Sequence, residues 1–198
     1  MKQLIVILWC VFFQQAAIAT ESLPEELIRN VSNQVLSRIQ SDPGKYQQDP
    51  AKLYALVDAI VLPHFDFSAM TDLALGRYKT KISTEQRRLI TNEFRIILVR
   101  TYGKALLEYN DQEIIYLPTE GSLEDGDVTV RTEIEQKGGF PIPLNYSLKL
   151  TGQGWKVYDI SVDEISLVTN YRSSFSRQIR KNGVDGLINT LHERNQDL

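Results

Sequence analysis

Two histidines and one cysteine are the whole supply of soft metal ligands and strong nucleophiles in 198 residues. A nucleophile needs a base within hydrogen-bond reach and a third group that orients the base. His64 stands two residues before Asp66 and directly after Pro63. A histidine beside a helix-breaking proline reads first as a boundary residue and only second as half of a catalytic pair. His192 falls in a polar C-terminal helix and reads as solvated. A zinc site here would have to be built mostly from carboxylates, and the chain carries no HExxH, EF-hand loop or P-loop. Asp163 and Glu164 could form an acid pair, but adjacent strand residues point to opposite faces. They are expected to open a helix, where acids complement the dipole. Arg172, Arg177, Arg180 and Lys181 cluster near a helix end. They either complement that C-terminus or meet an acidic partner or a phosphate. Tyr102, Tyr109, Tyr146, Tyr158 and Tyr171 are expected mostly to pack, a few placing a hydroxyl at a cavity mouth.

Chemistry this sparse moves the weight of the reading to the elements. Apolar residues make up 42% of the chain and charged residues 24%, which excludes a disordered polymer. The net charge of −3 argues against a nucleic-acid binder, so no such partner is expected. Lys2, the apolar run Leu4 to Phe13 and the small residues of Ala17-Ile18-Ala19 form a secretory leader cut after Ala19. The run is too short for a spanning helix of about 20 residues. Trp9 is too large for the position before a lipidated Cys10. Residues 20–198 are then expected as one exported domain in the periplasm. Cleavage removes the cysteine and makes the net charge one unit more negative.

After the leader the pattern reads helices, then strands, then helices, with no internal repeat. Leu27, Val31, Val35 and Ile39 give an amphipathic stripe from Leu23 to Gln40. Asp49-Pro50 opens a second helix, as cap and first position, that ends near Pro63. A third runs from Phe65 to Leu75 and stops at Gly76. Ser83-Thr84-Glu85-Gln86 matches a capping box and starts a long helix to about Tyr109. That helix is apolar around most of its circumference, so it should be covered on more than one side. Four strands follow, near 113–117, 128–134, 142–148 and 155–160. Gly138-Gly139 and Gly152-Gln153-Gly154 are the turns, so the strands form an antiparallel meander with one apolar face. The chain returns to helix near Ile165, breaks at Gly183 and closes with a last helix.

Several short segments, in order, carry a family likeness. Leu62-Pro63-His64-Phe65-Asp66-Phe67 is followed by Leu75-Gly76-Arg77-Tyr78. Glu85-Gln86-Arg87 leads to Glu93-Phe94-Arg95 and then Leu98-Val99-Arg100-Thr101-Tyr102-Gly103. Trp155-Lys156-Val157-Tyr158-Asp159, Ser166-Leu167-Val168, Asn170-Tyr171-Arg172 and Asn182-Gly183-Val184-Asp185-Gly186-Leu187-Ile188 complete it. Taken together they resemble the MlaC (toluene-tolerance Ttg2D) family across nearly the whole exported chain. Two positions depart from it. Lys79 stands where the family often has an aromatic, and Glu164 where it usually has glycine. If that glycine needs a positive φ, Glu164 is strained.

The resemblance implies an α+β fold: a twisted four-stranded antiparallel sheet wrapped by helices around a deep apolar pocket. It implies a periplasmic phospholipid carrier, with no catalytic activity and no cofactor beyond its lipid cargo. The implied partners are an outer-membrane lipoprotein–porin complex and an inner-membrane ABC transporter complex, and the implied role is keeping the outer membrane's lipids asymmetric. A shuttle must diffuse, so a monomer is expected. Alternation selects Val130, Ile134, Leu144, Tyr146, Leu148 and Val157 as the sheet's share of the pocket. Helical spacing selects Phe94, Leu98 and Tyr102 to face them, with Leu167, Val168 and Tyr171 from the element after the sheet. The lipid phosphate should stay near the mouth, since burying it unpaired is costly; Arg172 is the candidate partner and Arg100 a second. Two other readings fit the same pattern. A cone-shaped NTF2-like enzyme would need a buried acid or histidine in its cavity. A protein-binding adaptor would have a solid interior and a broad exposed apolar patch.

Overall fold

In the computed structural model the chain is described over residues 23–109 and 112–197. The leader expected over residues 1–19 lies outside the described residues. Three short helices come first: α1 (Pro24–Ser41), α2 (Pro43–Gln48) and α3 (Pro50–Ile60). Each starts with proline, whose missing N–H costs nothing in the first turn. The carboxylates of Asp42 and Asp49 take the free N–H groups of Lys45 at 3.2 Å and Ala51 at 3.1 Å. Asp42-Pro43-Gly44, expected only to end α1, therefore also begins a helix. A 3-10 turn at Leu62–His64 leads to α4 (Phe67–Leu75), capped by Asp66 through Ala69 N at 2.8 Å. Gly76, at φ 53°, ends α4.

The expected capping box is present. The Ser83 hydroxyl accepts from Gln86 N, and the Gln86 side chain accepts from Ser83 N, both at 3.1 Å. The helix it opens, α5 (Thr84–Gly103), stops short of Tyr109; the chain turns at Lys104 into a separate α6 (Ala105–Glu108). Its packing partners are α7, α4 and α3, as a helix apolar on several sides requires.

The sheet is an antiparallel meander in the order β1-β2-β3-β4-β5. Its strands are β1 (Ile114–Ser122), β2 (Asp127–Ile134), β3 (Ile142–Thr151), β4 (Gly154–Val162) and β5 (Ile165–Ser166). The count is five, where four were expected. The extra strand is two residues long, too short to show alternation. Asp163 and Glu164, expected to open a helix, instead form the two-residue turn into it, with φ of 49° and 62°. A tight hairpin needs positive φ at both central residues. Glu164 thus sits in the left-handed region that glycine occupies freely, as its departure from the family pattern suggested.

Two bulges distort the meander. In β1 the register slips between Leu117 and Glu120, around Pro118, which has no N–H for a ladder. In β4 it slips at Tyr158, so Val157 opposes Leu148 while Ile160 opposes Tyr146. Both apolar residues then share a face, and the extra residue adds twist. The last element, α7 (Leu167–Asp197), is interrupted at Gly183, where φ is 73°. Asp159 ties its start to the sheet: one carboxylate oxygen accepts from Val168 N at 3.1 Å, the other from the Ser166 hydroxyl.

The core is divided. One cluster joins α4, α5 and α7 around Phe94 and Phe175. A second joins the sheet's inward face to Ile28 of α1. A third lies among α1, α2 and α3. Among the described residues, no helix is long and apolar enough to cross a membrane.

Candidate functional site

The inward face of the sheet carries Val128, Val130, Thr132 and Ile134 on β2. Opposite them on β3 are Leu148, Tyr146, Leu144 and Ile142. The two ends of this face differ. Val130, Leu148 and Val157 have no exposed surface, closed in by Ile28 and Leu27 of α1 and by Phe65. Toward the other end Ile134, Leu144, Tyr146, Ile160 and Val162 are only half-buried, and Ile142 is 38% exposed. Thr132 stays buried between them because its hydroxyl donates to the Leu144 carbonyl. These apolar side chains, though on the inward face, keep some contact with solvent.

Tyr146 makes the same point through its chemistry. It is half-buried, yet loss of water around its hydroxyl pushes the pKa well above the usual phenol value, with the Tyr116 hydroxyl adding to the rise and a hydrogen bond to Ser32 opposing it. Tyr116, its neighbour on β1, is also half-buried, with a pKa raised by burial first.

Across from the sheet the helices are solid. Phe94 touches Tyr171 at 4.8 Å and Phe175 at 5.2 Å between ring centroids, both edge to face. Leu98 and Val168 belong to the same cluster, and Leu167 is buried at the start of α7. No strand contributes a buried residue to it. Among the described residues, Phe65 is the one side chain packed against both this cluster and the sheet cluster. It is held by a hydrogen bond from Asp66 N to the Val157 carbonyl at 2.9 Å and by stacking on Phe67 at 5.7 Å. Phe94, Leu98, Val168 and Tyr171 are thus one group; Val130, Leu148 and Val157, with Tyr146 packed against them, are another, and Ile134 and Leu144 belong to neither. Tyr102 is 37% exposed at the end of α5. The two arginines expected at the mouth part company: Arg100 donates to the Asn195 carbonyl, whereas Arg172 lies on the exposed side of α7 over Gly76.

Spacing alone did not reveal Phe65, Ile160, Tyr116 or Ser32. The signal for Ser32 was a lone hydroxyl on the apolar stripe of α1, four residues after Ile28 and three before Val35. Ile160 was hidden by the bulge, which reverses the alternation.

His64 and Asp66 do not form a pair. The Asp66 carboxylate is the cap of α4. The His64 pKa is lowered, by burial first and then by Lys156, whose amine donates to the Pro63 carbonyl at 2.7 Å. His192 lies 3.2 Å from the Glu93 carboxylate. Among the described residues, no three His, Cys, Asp or Glu side chains converge as a metal site would require. Lys79, exposed, follows the 3-10 turn at Gly76–Tyr78, and its carbonyl accepts from Arg87.

Residues 29–193 match the family model described as MlaC protein. The chain is 26% identical over 164 residues to the toluene tolerance protein ttg2D of Pseudomonas putida, covering 82% of this chain and 75% of that one. It is 28% identical over 177 residues to the intermembrane phospholipid transport system binding protein MlaC of Haemophilus influenzae, covering 87% and 82%. A solved structure of a phospholipid-binding protein from Ralstonia solanacearum, in complex with a phospholipid, superposes with a TM-score of 0.82 at 33% identity, covering 89% of this chain and 98% of that one.

Proposed function

The chain belongs to the MlaC family, and on that premise we propose that it is a periplasmic phospholipid carrier, exported by a cleaved leader and built as a single lipid-binding domain over residues 20–198. It takes its lipid from one membrane and releases it at the other, between an outer-membrane lipoprotein–porin complex and an inner-membrane ABC transporter complex. The result is an outer membrane that keeps its lipids asymmetric. The cargo is the phospholipid itself; no cofactor and no catalytic step are required.

One observation carries this reading: apolar residues on the inward face of the sheet are left half-open, opposite helices already packed among themselves. Each methylene moved from hydrocarbon into water costs about 0.8 kcal/mol. A phospholipid with roughly 30 chain methylenes would cost on the order of 24 kcal/mol to expose. A carrier must offer its own apolar surface in exchange, and that surface must not be satisfied by the protein beforehand. Ile134, Leu144, Tyr146 and Ile160 meet that condition. Val130, Leu148 and Val157 form the closed end of the same face, where Ile28 and Phe65 already cover them. Phe94, Leu98, Val168 and Tyr171 support the opposite side as packed ground. Arg172, on the outer side of α7, is left out of this lining. The likeness to a protein solved with a phospholipid bound supports the assignment.

Native mass spectrometry of gently purified protein tests it. The expected spectrum shows phospholipid bound to the exported chain. Recovery of apo protein alone, with no uptake from vesicles, would sink the reading. Bound lipid should also raise the melting temperature, since a ligand that binds only the folded state stabilises it.

A further inference from the structure

Neither the sheet nor the packed helices account for the outer side of α7. Thr169, Arg172, Ser173, Ser176, Arg177 and Arg180 recur at three- and four-residue spacing, so they form one stripe. Tyr171, Phe175 and Ile179 point the other way, into the core. The stripe is one wall of a cleft of about 540 Å³; the end of α4 and the turn at Gly76–Tyr78 form the other. Arg77, Arg172, Arg177 and Arg180 all line it, and no acidic side chain does. None of the four guanidinium groups has an ion-pair partner among the described residues. Elsewhere Arg29, Arg87, Arg88, Arg95 and Arg131 each hold a carboxylate at 2.6 to 2.9 Å.

Four unpaired like charges around one recess repel one another, and an anion lying between them relieves the repulsion. The recess is shaped for the guanidinium groups. Gly76 has no Cβ, and one placed there would lie 2.7 Å from the Arg172 Nε. The Tyr78 hydroxyl accepts from Arg77 at 3.2 Å. Its pKa is lowered, mainly by that bond, with Ser176 and Arg180 acting in the same direction.

We propose that this cleft docks an acidic segment of a partner protein, whose carboxylates sit in turn on Arg172, Arg177 and Arg180. Two features select that occupant. The stripe from Thr169 to Arg180 runs about 16 Å along the helix at 1.5 Å per residue, too long for a single phosphate. Its hydrocarbon lining is Leu75, which is 2% exposed and offers nothing to acyl chains. Arginine's planar fork suits carboxylates, taken two hydrogen bonds at a time. The chain as a whole is acidic, so the cleft is a local reversal of sign that would orient an approaching acidic surface.

The inference goes beyond the lipid reading and is tested apart from it. Fluorescence anisotropy with a labelled peptide of alternating glutamate and serine, at about 20 mM and about 150 mM salt, reads binding to the full exported chain. Saturable binding is expected, weaker at the higher salt. Arg172→Glu with Arg177→Glu should lower the affinity at least about tenfold. A control with the same change in charge on exposed residues outside the cleft, Arg38→Glu with Lys137→Glu, should change it less than about twofold. Filling the cleft with Ser173→Trp, which leaves the charge alone, should also weaken binding. Absence of binding at low salt, or an equal loss in the control, overturns the proposal. So does sedimentation of the wild type, but not the cleft variant, with vesicles containing phosphatidylglycerol, which would assign the cleft to membranes. Bound phospholipid, read by native mass spectrometry of the same cleft variant, should be unchanged; its loss would make the cleft a headgroup seat and overturn the docking assignment. If the wild type carries no lipid but still binds the peptide, the lipid reading fails and this one stands.

Discussion

The cluster around Phe94 and the open end of the sheet's inward face are built from the same kinds of residue and meet opposite fates. Phe94, Phe175 and Ile97 are at most 1% exposed, locked among three helices, with the aromatic rings of α5 and α7 meeting edge to face. Leu144, Tyr146 and Ile160 lie on an inward face too, yet remain half-buried. Helices can slide and rotate until their ridges interlock. A sheet held by its ladder cannot, so residues that α1 and Phe65 do not cover keep some contact with solvent. A carrier needs both: a rigid body that survives without its cargo, and an apolar surface left unsatisfied until the cargo arrives.

The sharpest way to break this comparison is to remove a large side chain from each region. Phe94→Ala should cost about 3–5 kcal/mol, the range for a buried phenylalanine that leaves a cavity, read from urea denaturation of lipid-free protein. Leu144→Ala should cost less than about 1.5 kcal/mol, because a half-buried leucine has fewer contacts to lose. Equal losses would mean that the face is a solid core.

Filling the open region sharpens the contrast. Leu144→Trp should leave the urea midpoint within about 1 kcal/mol of wild type and reduce phospholipid per protein several-fold by mass spectrometry. Val130→Trp, at the closed end, should instead destabilise by about 1–3 kcal/mol through overpacking. Loading unaffected by Leu144→Trp would place the tails elsewhere.

Tyr146 gives the comparison a pH dependence. Its folded pKa is raised, mainly by burial, so above pH of about 10 the unfolded phenol ionises while the folded one keeps its proton. The unfolded state then binds fewer protons, and stability falls as pH rises, by at most about 1.4 kcal/mol per pH unit from this group. In Tyr146→Phe the decline between pH 10 and 11 should be shallower by about 1 kcal/mol. Identical slopes would mean the hydroxyl is not enclosed.

The smallest effect lies at the turn where the chain departs from its family. Glu164 at φ 62° pays the left-handed penalty, so Glu164→Gly should raise the urea-derived stability by about 1 kcal/mol. No gain would show that the turn relaxes around glutamate.

Much of the scaffold was legible from local chemistry. Prolines at first positions, aspartate caps and the Ser83 capping box act within three or four residues, so their pattern survives without tertiary information. Alternation placed Val130 and Tyr146 on one face, and they are register partners. It failed at Ile160, because the bulge at Tyr158 shifts the phase by one residue. It failed again at Asp163 and Glu164, where a two-residue turn took residues that also suit a helix start. The unpaired arginines were visible as a cluster, but that they share a recess with Arg77 follows only from the fold.

By itself the sequence settled which segments become helices and strands, which faces are apolar, and the family to which they belong, because capping, periodicity and motif order are properties of neighbouring residues. The tertiary structure decided which apolar residues are fully buried by protein and which keep some contact with solvent. That distinction depends on distances between segments far apart in the chain: α5 closes on α7 and α4, β2 meets α1 while β4 meets α4 and α7, and no property of Leu144 or Phe94 taken alone says which fate it has.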